Sequence, residues 1–230
     1  MQYRHIVPAV FLSRPNRFIA QVKLHGHTET VHVKNTGRCK ELLLPGRRVW
    51  LEKSDSPSRK TRYDLVAVDK DGLLINMDAQ APNKVFAEWA AAGHFVAGLT
   101  LLRPETVWGQ SRFDFYWEAG EQRGFVEVKG CTLEKNGLAM FPDAPTERGV
   151  KHLQELAAAQ ETGYDCTVCI ILQMKGCRAF CPNDNIHPAF GQAMREAVAA
   201  GVRILALDCL VTPDSLCVDR PIPIYTKMQV

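Results

Sequence analysis

The chain has 230 residues, 46% hydrophobic and 23% charged, an ordinary globular composition with room for two modest domains. No apolar run approaches the ~20 residues of a membrane helix, and Arg4, His5 and Pro8 interrupt any signal-peptide core, so a cytoplasmic protein is expected. The net charge of +3 is unevenly spread: residues 1–82 hold 14 Lys and Arg against 8 Asp and Glu, residues 83–230 hold 14 against 17, so a basic module precedes a mildly acidic one.

Residues 1–82 read as all-β. Segments 18–24, 29–33, 48–52, 63–68 and 73–77 are apolar or alternating, and His25-Gly26, Pro45-Gly46 and Asp71-Gly72 supply turn chemistry between them. Five short strands in such a length predict a small barrel of the OB type, with an SH3-like barrel as the rival. Basic charge on this module suits a phosphate backbone. Arg14, Arg17, Arg38, Lys40, Arg47 and Arg48 are the expected groove cations, with Phe18 or Trp50 as stacking platforms and Trp50 the better core residue.

Ala81-Pro82-Asn83 marks a boundary, and Asn83 is placed to cap a helix running to about Ala92. Val85, Phe86 and Trp89 share one side of it, and Glu88 lies at the margin of that stripe. Strands are expected at 100–106, 111–117, 123–133, 166–174 and 202–207. Helices are expected at 146–161, capped by Thr146, and at 188–200, burying Phe190, Met194, Ala197 and Val198. The order α-β-β-β-α-β-α-β makes residues 83–230 a mixed α/β domain. On the second helix Val150, Leu153, Leu156, Ala157 and Gln160 form the inner side, with a Glu147–Lys151 pair on the outer one.

The chemistry concentrates at Asp114 and at Glu127-Val128-Lys129, spaced as Asp-x(12)-Glu-x-Lys. Residues two apart in a strand share a face, so Glu127 and Lys129 point together while Val126 and Val128 pack the other way. Phe113, Phe115 and Trp117 are likewise expected on one face of the preceding strand. A hairpin through 120–123 brings both carboxylates to one Mg²⁺ or Mn²⁺, with the Val128 carbonyl as a further ligand. Such a site hydrolyses phosphodiesters, with Lys129 positioning water or stabilising transition-state charge. A solvated hairpin with an Asp–Lys pair is the bland alternative, disfavoured by the flanking apolar alternation.

Acidic residues and Glu-x-Lys on consecutive strands, after an acidic residue on a helix, resemble the PD-(D/E)XK restriction-endonuclease-like superfamily. Asn35-Thr36-Gly37, Ser111 to Phe115, Val126 to Lys129, Phe141 to Gly149 and Lys151-His152-Leu153 resemble the sugar fermentation stimulation protein A family. That resemblance implies an N-terminal OB domain, a nuclease-like C-terminal domain and sequence-nonspecific DNA binding. It places Glu88, Asp114, Glu127 and Lys129 at a metal-dependent site. DNA contacts are expected from Arg14, Arg17, Asn35, Thr36, Arg38, Arg47, Arg112, Arg148 and Lys151, the last two beside the free N-terminus of the second helix.

Other signals are discounted. Cys166 and Cys169 lie three apart in a strand and face opposite sides, so they cannot share a zinc ion, and the eight cysteines fit buried free thiols. His25, His27 and His32 lack a partner at ligand spacing and read as solvated. Three functions follow in order: a metal-dependent nuclease, a non-catalytic DNA-binding regulator, and an enzyme of sugar metabolism, for which no nucleotide or sugar-phosphate motif is present.

Overall fold

The computed structural model describes residues 1–227 except Thr36 and Pro57. Its first sheet comprises β1 (Ile6–Asn16), β2 (Ile19–Leu24), β3 (His27–Val33), β4 (Arg48–Lys53), β5 (Tyr63–Lys70) and β6 (Leu73–Asn76). They run in the order β3-β2-β1-β4-β5-β6, and parallel pairing of His32 with Asp64 and Val33 with Leu65 closes five of them into a barrel. Alternate residues fill it: Ala20, Val22 and Leu24 from β2, Val31 and Val33 from β3, Val49 and Leu51 from β4. The β2–β3 turn is two residues, His25 and Gly26, both at positive φ, as a tight hairpin requires. Trp50 is buried, with the Arg48 guanidinium 5.2 Å from its ring centroid.

β1 is the strand that the sequence reading lacked. Pro8 and Pro15 disguise it, yet Ala9 and Phe11 enter the core and the strand pairs with both β2 and β4. Its register with β2 shifts twice, which absorbs the irregular sequence. β6 lies outside the closed ring, as an extension of β5.

A polar knot braces one side of the barrel. Asp64, nearly fully buried, accepts from both terminal nitrogens of Arg59 at 2.7 and 2.6 Å, and His32 Nδ1 lies 2.9 Å away. Lys34 stands between Glu52 (3.1 Å), Asp78 (3.5 Å) and Asp64 (3.7 Å). His32 therefore has a carboxylate partner and is not merely solvated. Burial alone would push the Asp64 carboxyl up, but the Arg59 and His32 hydrogen bonds outweigh it and hold it below the usual range. The stability this supplies is present above about pH 4 and is lost as pH falls through the lowered value. Asp64→Asn is expected to cost about 2–3 kcal/mol at neutral pH, less than a fully buried pair because Arg59 and His32 are each about one-third exposed. Urea unfolding measures it, and the cost should shrink below pH 4.

The second domain begins with α1 (Ala81–Trp89), which extends into a wide turn at Ala90–His94. Gln80, not Asn83, occupies the cap position, and Pro82 sits in the first turn, where its missing N–H costs nothing. Then come β7 (Leu101–Trp108), β8 (Ser111–Ala119), β9 (Gln122–Cys131), β10 (Leu133–Lys135), β11 (Leu138–Phe141), α2 (Glu147–Glu161), β12 (Asp165–Leu172), β13 (Ala179–Pro182), α3 (Pro188–Ala199), β14 (Arg203–Thr212) and β15 (Ser215–Pro221). The main sheet has the order β15-β14-β12-β9-β8-β7, parallel at its centre and antiparallel towards both edges. β10, β11 and β13 form a small separate sheet. These three and β15 are additional to the expected elements.

Helices cover both faces of the main sheet. Phe86 of α1 packs with Phe95, Phe115, Trp117, Val126 and Val128 on one side. Leu153 and Leu156 of α2 and Phe190 and Met194 of α3 pack with Phe113, Phe125 and Ile170 on the other. Cys166 and Cys169 go to opposite faces of β12. Val198 points outward, at the edge of the α3 stripe. No helix among the described residues is long and apolar enough to cross a membrane.

The barrel and the α/β domain are joined by buried and half-buried hydrogen bonds. Gln173, just past β12, donates from Nε2 to Asn76 Oδ1 and to the Asp78 carbonyl, both at 2.9 Å. Lys70 of β5 bonds the Glu134 carboxylate of β10 at 2.5 Å. Asn35 and Gly37 of the barrel line a cleft together with residues 141–146 of the second domain.

Candidate functional site

The site lies where two strands part. β8 and β9 turn through Gly120 and Glu121 and pair from Ala119–Gln122 to Phe115–Val126. Beyond that the ladder stops, while β8 continues with β7 and β9 continues with β12. The next residues on the two arms are Asp114 and Glu127. The Asp114 carboxylate takes over from the lost ladder: Oδ2 accepts from the Val128 N–H at 2.8 Å. The side-chain alternation of β8 also breaks here. Phe113 packs against Phe125 and His152, Phe115 against Phe86, so the expected common face for Phe113 and Phe115 is corrected. A strand peeling away from its neighbour twists, and the parity rule fails across the twist.

Glu127 is 3% exposed and turned towards α2. Its Oε1 accepts from Lys129 Nζ and from His152 Nδ1, both at 2.5 Å. Arg148 Nε donates to His152 Nε2 at 3.3 Å. This bonding assigns His152 the neutral tautomer with its proton on Nδ1. Among the described residues, Oε2 of Glu127 is buried with no hydrogen-bond partner. Thr146 holds the start of α2, its hydroxyl accepting from the Gly149 N–H at 3.1 Å, which fixes the helix turn that carries Arg148 and His152.

The two carboxylates respond to this setting in opposite directions. Burial, and then the neighbouring Glu127 charge, raise the Asp114 carboxyl, although the Val128 N–H and Asn83 resist it. Burial would also raise Glu127, but hydrogen bonds from His152 and Lys129 hold it below the usual range. An anionic pair with an unpartnered buried oxygen fits a divalent cation in an oxygen site. In an extended strand the N–H and C=O of one residue face the same side, so the Val128 carbonyl faces the open fork as well. Among the described residues no three His, Cys, Asp or Glu side chains converge as a metal-holding group, so backbone and water oxygens would complete the sphere.

The structure brings Asp114, Glu127, Val128 and Lys129 together, and it places Glu88 elsewhere. Glu88 is 57% exposed and its carboxylate bonds the Met1 amino group at 2.6 Å. The residue of α1 that reaches the fork is Asn83, whose Nδ2 donates to Asp114 Oδ1 at 2.8 Å. Asn83 and His152 are the site residues that sequence reasoning missed. A signal for His152 existed: 149, 152, 153, 156 and 159 form a helical stripe, and these are the buried positions of α2.

The expected DNA contacts divide into two kinds. Arg14 is half-buried, its guanidinium donating to the carbonyls of Arg17, Asn35, Gly37 and Arg38 at 2.6–2.8 Å, so its terminal donors are spent on backbone. Arg47 bonds the Glu41 and Leu42 carbonyls and Asp71. Both are removed from the set of free cations. Arg17, Arg38 and Lys40 line a surface hollow with Gly37, and Asn35 lines the interdomain cleft. Arg112 is exposed beside Glu105 (3.5 Å), and Arg148 and Lys151 lie on the outer side of α2. Lys151 pairs with Glu155 (3.7 Å), whereas Glu147 pairs with His187 (3.2 Å) in place of Lys151. Thr36 lies outside the described residues.

Comparison with known proteins covers almost the whole chain. Residues 12–77 match the family model described as the SfsA N-terminal OB domain, and residues 80–215 match the sugar fermentation stimulation protein RE domain. A sugar fermentation stimulation protein homolog of Desulfitobacterium hafniense is 56% identical over 216 residues, 94% of each chain. That of Ruminiclostridium cellulolyticum is 49% identical over 224 residues, 97% of this chain and 99% of the relative. The solved Pyrococcus furiosus SfsA in complex with Ca²⁺ superposes with a TM-score of 0.89 at 27% identity, over 98% of each chain. With both domain models in the same order and relatives matched nearly end to end, this chain belongs to the sugar fermentation stimulation protein family.

Proposed function

We propose that this chain is a cytoplasmic, sequence-nonspecific DNA-binding protein whose β8–β9 fork holds Mg²⁺ or Mn²⁺ for phosphodiester hydrolysis, in the manner of PD-(D/E)XK nucleases. The observation that carries this reading is the buried, unpartnered Oε2 of Glu127 beside Asp114. A pure DNA binder gains nothing from two buried carboxylates that repel phosphate. The Ca²⁺ complex of the Pyrococcus furiosus relative supports an oxygen-rich cation site in this fold.

Asp114, Glu127 and the Val128 carbonyl would hold the cation. When bound, it polarises a phosphoryl oxygen and acidifies a coordinated water. Asn83 holds Asp114 in place through Oδ1. Lys129, bonded to Glu127 Oε1, is placed to orient the attacking water or meet charge developing on phosphate. His152 and Arg148 fix the Glu127 carboxylate from the other side. Arg17, Arg38, Lys40, Arg148 and Lys151 supply the backbone contacts, a salt-dependent interaction without sequence content.

One observation favours a second reading. With Glu88 turned to the Met1 amine, two carboxylates face the fork in place of three, which suits a cation-bridged DNA-binding regulator that does not cut. Supercoiled plasmid and single-stranded DNA, incubated with and without Mn²⁺, separate the two. The nuclease reading expects Mn²⁺-dependent nicking that Glu127→Ala and Lys129→Ala abolish. Nicking no greater than in these variants, with DNA binding retained by all three, leaves the regulator.

A further inference from the structure

Two hollows lie against Gly37, which lines both. One, of 450 Å³, lies on the barrel surface and is walled by Arg17, Arg38 and Lys40, with no carboxylate among its lining residues. The other, of 280 Å³, lies between the domains and is lined by Asn35, Gly130, Asp143 and Thr146. Gly130 directly follows Lys129, so this second hollow reaches the strand that carries the site. Gly37 stands at the pinch between them: a Cβ there would lie 2.9 Å from Asn35 Oδ1 and 3.0 Å from Asp143 Oδ2. The hollows thus lie on either side of Gly37, one on a cationic surface and the other at the end of β9.

The chemistry of the two hollows differs. The outer part offers cations for phosphates, and beside it stands Phe18, 44% exposed, with the Arg17 guanidinium 4.8 Å from its ring centroid. The inner part offers an amide, a hydroxyl and a carboxylate, which suit the edge of a base or a sugar better than a row of phosphates. In a duplex each base face is covered by its neighbours, so an exposed aromatic ring gains a stacking partner only from an unpaired strand. A second phosphate rail would also run against Asp143. The five-stranded barrel with a cationic groove and an aromatic platform is built as single-strand binding modules are.

From these two hollows, and resting on the DNA reading above, we infer that the DNA entering the site is single-stranded: its backbone lies on Arg17, Arg38 and Lys40, a base stacks on Phe18, and one unstacked nucleotide occupies the inner cleft at Gly130. Phe18 is a surface residue, so its removal leaves the fold intact. The test is fluorescence anisotropy of the full chain in EDTA, with a labelled single strand and with the duplex of the same sequence at one salt concentration. The single strand should bind at least about tenfold more tightly, and Phe18→Ala should cost about tenfold for the single strand while leaving the duplex unchanged. Equal or tighter duplex binding overturns the inference, as does a Phe18→Ala variant that binds the single strand like wild type. Binding to neither oligonucleotide would instead remove the DNA reading itself, and the inference with it.

Discussion

Glu127→Gln is expected to abolish cation binding and to reduce Mn²⁺-dependent strand cleavage by about 10²-fold or more, the scale set by losing a preorganised electrostatic group at a reacting phosphate. The substitution is chosen for its geometry. A glutamine oxygen can still accept from Lys129 and His152 at the Oε1 position, and its amide replaces the unpartnered Oε2. His152 and Lys129 hold the Glu127 carboxylate below its usual range, so losing its charge is expected to lower Tm somewhat while the isosteric variant stays folded. Loss of Ca²⁺ binding in calorimetry, by a variant that is still fully folded at the assay temperature, is then specific to the site. A variant that binds Ca²⁺ like wild type would sink the metal assignment, whatever happens to cleavage. Activity and cation binding are read separately, so a non-cutting protein with a real cation site is also recognised.

How much of this was legible in the chain differs by level. The barrel strands from Ile19 onward could be read because their inner positions alternate cleanly, and Glu127 and Lys129 could be placed together because parity holds through β9, whereas in β8 it breaks at Asp114. β1 was hidden by its prolines, and its place is set by pairing to two distant strands. The partners of Asp114 and Glu127 were hidden for a different reason. Which residue of α1 faces β8 depends on how the helix docks, and that chose Asn83 over Glu88. Arg14 and Arg47 show the converse error. Basic residues near a groove look like ligands in sequence, but their guanidinium groups are spent on backbone carbonyls that the loops leave unpaired. The free cations are those whose neighbouring backbone is already satisfied, which no residue count reveals.

His152 carries the second large expectation. It is buried, neutral in its bonding pattern, and the only group besides Lys129 that bonds the Glu127 carboxylate among the described residues. Its Nδ1–H holds Oε1, so that Oε2 is the oxygen left for a cation. Removing such an orienting partner of a ligand generally costs 10–100-fold in metal affinity or activity. His152→Leu is therefore expected to weaken Mn²⁺ or Ca²⁺ binding by about that factor. Some stability will be lost too, since the ring also packs edge-on against Phe113. Stability alone would not distinguish a positioning role from a packing role, but His152→Asn does. Asparagine loses the ring contact yet can present its amide nitrogen where Nδ1 stood. A positioning role requires that Asn recover most of the cation affinity while recovering little of the Tm. If Leu and Asn variants bind the cation alike, or if both match wild type, His152 is a packing residue and Glu127 is oriented by Lys129 alone. Recovery of affinity by Asn would place the family's Lys151-His152-Leu153 motif in the chemistry of the site, where the sequence had shown only a conspicuous run of residues on a helix.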